Sequence, residues 1–358
     1  MRFIVPILQI LIAFQCLFFL LYLVVDSRLS QVPNRILAGL LITLSTHMTL
    51  NLINQHLSVG ILSNVSIGFG FFYGPFLFLY VHALSTRGFS LRKIHTAHLI
   101  PGIAASLSAI FFRLPMYSYA IGIFISLFLY AAMSFMHIAY YQKVLSQTRS
   151  EDDRIALRWL SSMLVFQIVV LIANIASVAL SYSGHPAAGQ WAEVSLFLFL
   201  VVLVSSIILK GLQHPALFGG ISEEDRNVAE MHTQTAVQGL DEHEADALLA
   251  RLLEHMKTKQ PFLDPSISIK RLSRQMGVIT RDVSKVINRQ LQQNFSQFVN
   301  HYRVEMAKDK LRNPDSGEHS IIEIMYDCGF NTKSNFNRAF KELTGQTPRL
   351  YRQESTKS

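Results

Sequence analysis

Seven apolar runs dominate the first 220 residues and leave few ways for that part of the chain to fold. They cover residues 3–25, 36–57, 61–84, 94–112, 117–139, 159–182 and 191–209. Each is about the length, roughly twenty residues, that a helix needs to cross a bilayer. Glu193 is the one Asp, Glu, Lys or Arg inside any of them. Seven such runs separated by short loops argue against the buried helices of a large soluble protein. The run 94–112 is the weakest, because it contains His95, His98, Pro101 and Gly102. The first run is too long for the apolar core of a signal peptide, and no small-x-small site follows at Val25-Asp26-Ser27, so it is expected to be retained as a span.

Charge divides the chain at about the same place. Residues 1–220 hold 12 Lys and Arg and 5 Asp and Glu, whereas residues 221–358 hold 20 and 19. The overall 16% of charged residues, against about 25% in an ordinary globular chain, therefore averages two unlike parts. Basic residues cluster on alternate connections: Arg28 and Arg35; Arg87, Arg92 and Lys93; Lys143, Arg149, Arg154 and Arg158. The opposite ends carry only Arg2 and Arg113. Positively charged loops stay in the cytoplasm. The expected topology is a multi-pass protein of the bacterial inner membrane, N-terminus outside and C-terminal domain cytoplasmic.

Beyond the last run, His214-Pro215 and Gly219-Gly220 break the helix and a polar, acidic tether follows. Three segments are expected: a transmembrane bundle over 1–212, a flexible linker over 213–240 and a soluble domain over 241–358. About 25 flexible residues reach on the order of 28 Å, so DNA bound by the soluble domain must come to the membrane unless the chain is cleaved. Residues 241–259 carry Ala245, Leu248, Leu249, Leu252, Leu253 and Met256 at helical spacing. Residues 266–358 hold 16 basic and 9 acidic side chains, which points to an anionic partner, double-stranded DNA first.

The helical pattern sharpens that expectation. Ser266 or Ser268 can cap a short helix over 269–276 that stops at Gly277, and Thr280 is expected to cap a second through Val283, Val286 and Ile287. Two short helices around a glycine turn form the helix-turn-helix pattern. Val283 and Val286 should face inward, and Arg281, Ser284, Lys285 and Asn288 outward. The pattern repeats about fifty residues later. Ser320 caps 321–328, Gly329 turns, and Thr332 opens a helix whose buried face is Phe336 and Phe340, with Lys333, Asn335, Asn337, Arg338 and Lys341 on its other faces. Between the units, 295–312 reads as one longer helix with Phe298, Tyr302, Met306, Ala307 and Leu311.

The run Gly329-Phe330-Asn331-Thr332-Lys333-Ser334-Asn335-Phe336-Asn337-Arg338-Ala339-Phe340-Lys341 is similar to part of the AraC/XylS-type DNA-binding domain. So are Thr344-Gly345-Gln346-Thr347-Pro348 and Tyr351-Arg352, and the helix with Arg303 and Ala307 resembles that family's linker helix. Met325 departs from the small residue usual at its position. The segments Gly74–Val81 and His98–Pro101 resemble those of bacterial seven-span membrane domains fused to AraC-type domains. The resemblance implies that each unit lays its second helix in a major groove. By position the first would present Arg281, Ser284 and Lys285, and the second Lys333, Ser334, Asn337 and Arg338. Arg and Lys suit guanine and Asn suits adenine; phosphate contact or plain solvation is the alternative for each. RNA polymerase and a second copy of the chain are further expected partners.

Polar residues inside a bilayer are costly and often functional. Thr43, His47, Asn51 and Asn54 share one face of the second run; Tyr130, Ser134, His137 and Tyr141 do so in the fifth, and Gln167, Asn174 and Ser181 in the sixth. They are expected either to line a pocket for a small-molecule or membrane signal or to hold helices together by hydrogen bonds. Glu193 beside Trp191 is expected at the membrane interface, with cation or proton sensing as the alternative. Two cysteines exclude a disulfide scaffold, and no phosphate-cradling glycine loop, paired-cysteine motif or zinc-protease motif is present. No enzyme activity, cofactor or metal is therefore expected. The expectation is an all-α, membrane-tethered, sequence-specific transcription regulator whose seven-helix transmembrane bundle senses a signal. A transporter or enzyme with a DNA-binding tail, or a bundle that only anchors, stays open.

Overall fold

The computed structural model describes residues 3–57, 60–86, 88–112, 115–148, 154–184, 186–213, 241–312 and 319–355. At some positions within these helices only the backbone is described. The expected linker falls outside the described residues. All described regular structure is helical. The chain divides into two compact units, one of Met1–Ala139 with Ala156–Gly220, the other of Tyr140–Ile155 with Ile221–Ser358.

The first unit begins with α1 (Ile4–Val25), α2 (Val32–Leu57) and α3 (Gly60–Ser85). Next come the one-turn α4 (Lys93–Thr96), α5 (Ile100–Phe111) and α6 (Met116–Thr148), whose C-terminal end belongs to the second unit. Then follow α7 (Arg154–Tyr182) and α8 (Pro186–Gln213). The core of α1, α2, α3 and α8 is built from Ile12, Cys16, Leu37, Leu41, Met48, Leu79, Phe197 and Val204. Phe14, Phe18, Leu21 and Val25 on α1 point outward and are exposed, so this helix is apolar on its outer face as well as its inner one.

Six helical segments are long and apolar enough to cross a membrane, where the sequence led us to expect seven. The difference lies in α7, whose described apolar stretch, Leu160–Ala173, is shorter than a span. The weakest expected run is also not one straight helix. A 3-10 turn at Ala97–Leu99 separates α4 from α5, and Pro101 sits in the first turn of α5, where its missing N–H costs nothing.

The second unit starts with α9 (Glu242–Lys259), capped by Asp241 in a box with Glu244. It continues with α10 (Ile269–Met276), α11 (Thr280–Gln290), α12 (Phe295–Arg312), α13 (Ile321–Asp327), α14 (Lys333–Thr344) and α15 (Pro348–Ser355). Two cores form along α12. Its first half contributes Phe295, Phe298 and Val299 to a cluster with Leu252, Met256, Leu272, Val283 and Ile287. Its second half contributes Val304, Ala307 and Leu311 to a cluster with Ile324, Phe330, Phe336 and Phe340. Met325 is buried in that second cluster, so the larger side chain is accommodated.

Arg303, between the halves of α12, is 1% exposed. Its Nε donates to the carbonyl of Phe262 at 2.7 Å and its Nη2 to that of Asp264 at 2.9 Å. Its guanidinium lies 5.4 Å from the Phe330 ring centroid. One charged side chain thereby ties the 3-10 turn Pro261–Leu263 of the first cluster to an aromatic ring of the second. Arg303→Met should remove both bonds and leave buried carbonyls unpaired. A loss of about 2–3 kcal/mol is expected, read as a lower urea midpoint of the 241–358 fragment.

Gly277 and Gly329 both turn the chain at positive φ, +66° and +83°. In each turn the next residue's N–H bonds the carbonyl five residues back, Val278 to Ser273 and Phe330 to Met325. Their surroundings differ. A Cβ on Gly277 would meet open space, whereas one on Gly329 would lie 2.5 Å from the Phe262 carbonyl oxygen and 2.9 Å from that of Leu263. Gly277→Ala should cost about 1–2 kcal/mol for the left-handed backbone alone. Gly329→Ala should cost distinctly more in the same urea titration, because backbone must also move.

Candidate functional site

The two helix-turn-helix units are built from the same local signals. Ser268 caps α10 by accepting from the Arg271 N–H, and Ser320 caps α13 by accepting from the Glu323 N–H. Glu323 reaches back to the Ser320 N–H, and these bonds hold its carboxyl below the usual carboxylate range. Ser266 instead bonds the Asp264 carboxylate. Thr332 caps α14. Thr280 does not cap α11: the N-cap is Ile279, which has no side-chain oxygen, and Thr280 is the first helical residue.

Burial sorts the faces of the two second helices. On α11, Val283, Ser284, Val286 and Ile287 are buried. Arg281 and Arg289 are exposed, and Lys285 and Asn288 are half-buried. Ser284, expected to face outward, is 1% exposed. On α14, Asn335, Phe336, Ala339 and Phe340 are buried, Lys333, Ser334 and Lys341 are exposed, and Asn337 and Arg338 are half-buried. Asn335, expected on an outer face, is likewise 1% exposed.

A single offset explains both corrections. The turn glycines, 277 and 329, and the cap serines, 268 and 320, are 52 residues apart. The same offset places Ser284 where the second unit has Phe336, and Asn335 where the first has Val283. Both positions are inward in both units. The offset also pairs Arg281 with Lys333, Lys285 with Asn337 and Arg289 with Lys341. Residues four apart lie on one helix face, so each helix carries an outward row: Arg281, Lys285 and Arg289, then Lys333, Asn337 and Lys341. Arg289 was missed by the residue-by-residue reading, although its spacing from Lys285 could have found it.

Arg281 pairs with Asp282 at 3.3 Å and Arg338 with Glu342 at 3.8 Å. Exposed pairs of this kind contribute little and are readily exchanged for another anion. Such rows can meet phosphates as point charges and base edges through Arg, Lys and Asn donors.

In the first unit the expected sensing residues do not converge on one place. His47 shares a hydrogen bond with the Tyr73 hydroxyl and faces Phe69, its ring centroid 5.7 Å away. Thr43 bonds the Gly39 carbonyl of its own helix, and Asn51 and Asn54 are half-buried further along α2. His137 lies elsewhere: its Nε2 is 2.7 Å from Ser85 Oγ and its ring 4.4 Å from that of His82. Glu193 and Trp191 are exposed on α8. The Asn174 side chain lies outside the described residues. No group of three or more His, Cys, Asp or Glu able to hold a metal occurs among the described residues.

Residues 272–354 match the family described as a helix-turn-helix domain. An uncharacterised HTH-type transcriptional regulator of Staphylococcus aureus strain N315 is 35% identical over 86 residues, 24% of this chain and 11% of the relative. The uncharacterised HTH-type transcriptional regulator YtdP of Bacillus subtilis strain 168 is 29% identical over 91 residues, 25% of this chain and 11% of the relative. The chain thus spans about a ninth of the length of these curated relatives. No solved structure matches the chain.

Proposed function

We propose that the protein is a membrane-tethered, sequence-specific DNA-binding transcription regulator. Seven spans would hold it in the bacterial inner membrane with the C-terminal unit in the cytoplasm, and the bundle would act as signal sensor. The observation that carries this reading is the paired outward row: two helix-turn-helix units, joined through α12 and Arg303, present Arg281, Lys285 and Arg289 in one and Lys333, Asn337 and Lys341 in the other at matching positions. Units of this kind place their second helices in major grooves. The names of the relatives support transcription regulation, and the six apolar helices support the membrane anchor.

Genome-wide occupancy of the full-length protein tests the reading, and enrichment at discrete promoters is expected. With the operator so found, Arg338→Ala should cost about 1–3 kcal/mol at one base step or across all sequences. Arg289→Ala should weaken binding evenly and lower the salt slope by about 1, as loss of a phosphate contact does. Ser284→Ala should leave operator affinity at fixed salt unchanged, because that side chain is buried. Occupancy without sequence preference would overturn the reading.

A further inference from the structure

A groove of about 500 Å3 opens between α13, α14 and α15 in the second helix-turn-helix unit. Its base is closed by Met325, Phe336 and Pro348, all buried. Ile321 and Ile322 give it an apolar side. Lys333 and Arg349, both exposed, and the half-buried Arg352 form its rim. Arg352 is held there by its Nη2, which donates to the His319 carbonyl at 3.0 Å. Among the described residues, none that lines the groove is acidic. Lys333 and Asn337 line it and also belong to the outward row of α14. The groove therefore adjoins the surface that would read DNA.

The first unit carries no cation at the positions that match Arg349 and Arg352. The caps of the helices that follow the two reading helices, Asn294 and Thr347, match at an offset of 53, because the second unit is one residue longer here. Asn294 accepts from the Gln297 N–H at 2.9 Å, and Thr347 from the Leu350 N–H at 3.4 Å. Arg349 and Arg352 then fall where the first unit has Ser296 and Val299, 3% and 0% exposed. The preceding helices show the reverse. At the offset of 52, α10 exposes Lys270, Arg271 and Arg274 where α13 exposes Ile322, Glu323 and Tyr326. Flanking cations precede the reading helix in the first unit and follow it in the second.

A helix laid in a major groove is bordered by the phosphates of both strands, and the elements beside it meet them. The exposed face of α13, apolar and acidic, is poorly suited to that contact, whereas the rim of the groove is suited to it. DNA backbone alternates a phosphate anion with a deoxyribose whose C–H faces are apolar, which matches cations beside an apolar side. We infer that the groove clamps the sugar–phosphate backbone of bound DNA through Lys333, Arg349 and Arg352, and that the helix following the first reading helix makes no such contact. The inference rests on the DNA-binding reading above and adds to it a contact that carries no sequence information.

The test uses the full-length protein in detergent, titrated with the operator duplex and with a scrambled duplex of equal length at several salt concentrations. Arg349→Ser, which gives the second unit the residue of the first, should lower the slope of log K against log salt by about 0.9. It should weaken both duplexes by the same factor, and Arg349→Lys should keep the slope. Arg352→Gln is the second variant, with the same result expected. An unchanged slope in both Arg349→Ser and Arg352→Gln would overturn the inference, and so would a loss confined to the operator, which marks a base contact. Inorganic phosphate at matched ionic strength distinguishes the other source of this chemistry. If it raises the thermal midpoint of the parent and not of Arg349→Ser, as a ligand of the folded state does, the groove belongs to a free anion and the clamp is overturned. Operator preference with unchanged slopes would sink this inference alone. Equal affinity for the two duplexes, with the slope still falling in the variants, would sink the sequence-specific reading alone. Binding to neither duplex would sink both.

Discussion

The arrangement of the C-terminal unit depends on one buried cation. Arg303 is enclosed by both cores, and its guanidinium meets the backbone carbonyls of Phe262 and Asp264 and the face of Phe330. A buried charge without such partners would not be tolerated. Its position therefore requires the Pro261–Leu263 turn, the centre of α12 and the Gly329 turn to come together at once. Each helix-turn-helix unit has its own apolar core, and Arg303 helps fix their mutual placement by directed polar contacts. Apolar surfaces can slide past one another, whereas directed hydrogen bonds to two carbonyls cannot without being lost.

Much of this unit was legible in the sequence. Cap serines, turn glycines and the i, i+4 spacing of Phe336 and Phe340 are local signals, and the structure realises them at the expected positions. The errors came from side chains whose polarity opposes their position. Ser284 and Asn335 look like surface residues, yet each occupies an inward site of its helix. Thr280 resembles a cap, but Ile279 holds that position. Polarity is a weak guide for one residue on a helix with a strong buried face. Comparing the two units at their common offset is a better one, because geometry repeats even where chemistry does not.

The first unit was less legible. The runs of apolar residues were plain, and so was the weakness of 94–112, but not that a 3-10 turn at Ala97–Leu99 divides it. Polar stripes on single helices gave no indication of which stripes meet. His47 and Gln167 are 120 residues apart in sequence and line the same cavity, while His137 joins His82 and Ser85 elsewhere. Such convergence is a property of helix packing, which periodicity along one helix cannot report.

The unequal surroundings of the two turn glycines carry a consequence for the history of the molecule. A repeat with a constant offset has the form of a duplicated unit, and freshly duplicated copies are interchangeable. These are not. The first copy's turn is open on its outer side, whereas the second has the backbone of Phe262 and Leu263 pressed against it. The first can drift in sequence at that turn at modest expense, and the second is held to glycine by its neighbour. Transplanted alone, the second copy would keep a constraint whose reason had been left behind.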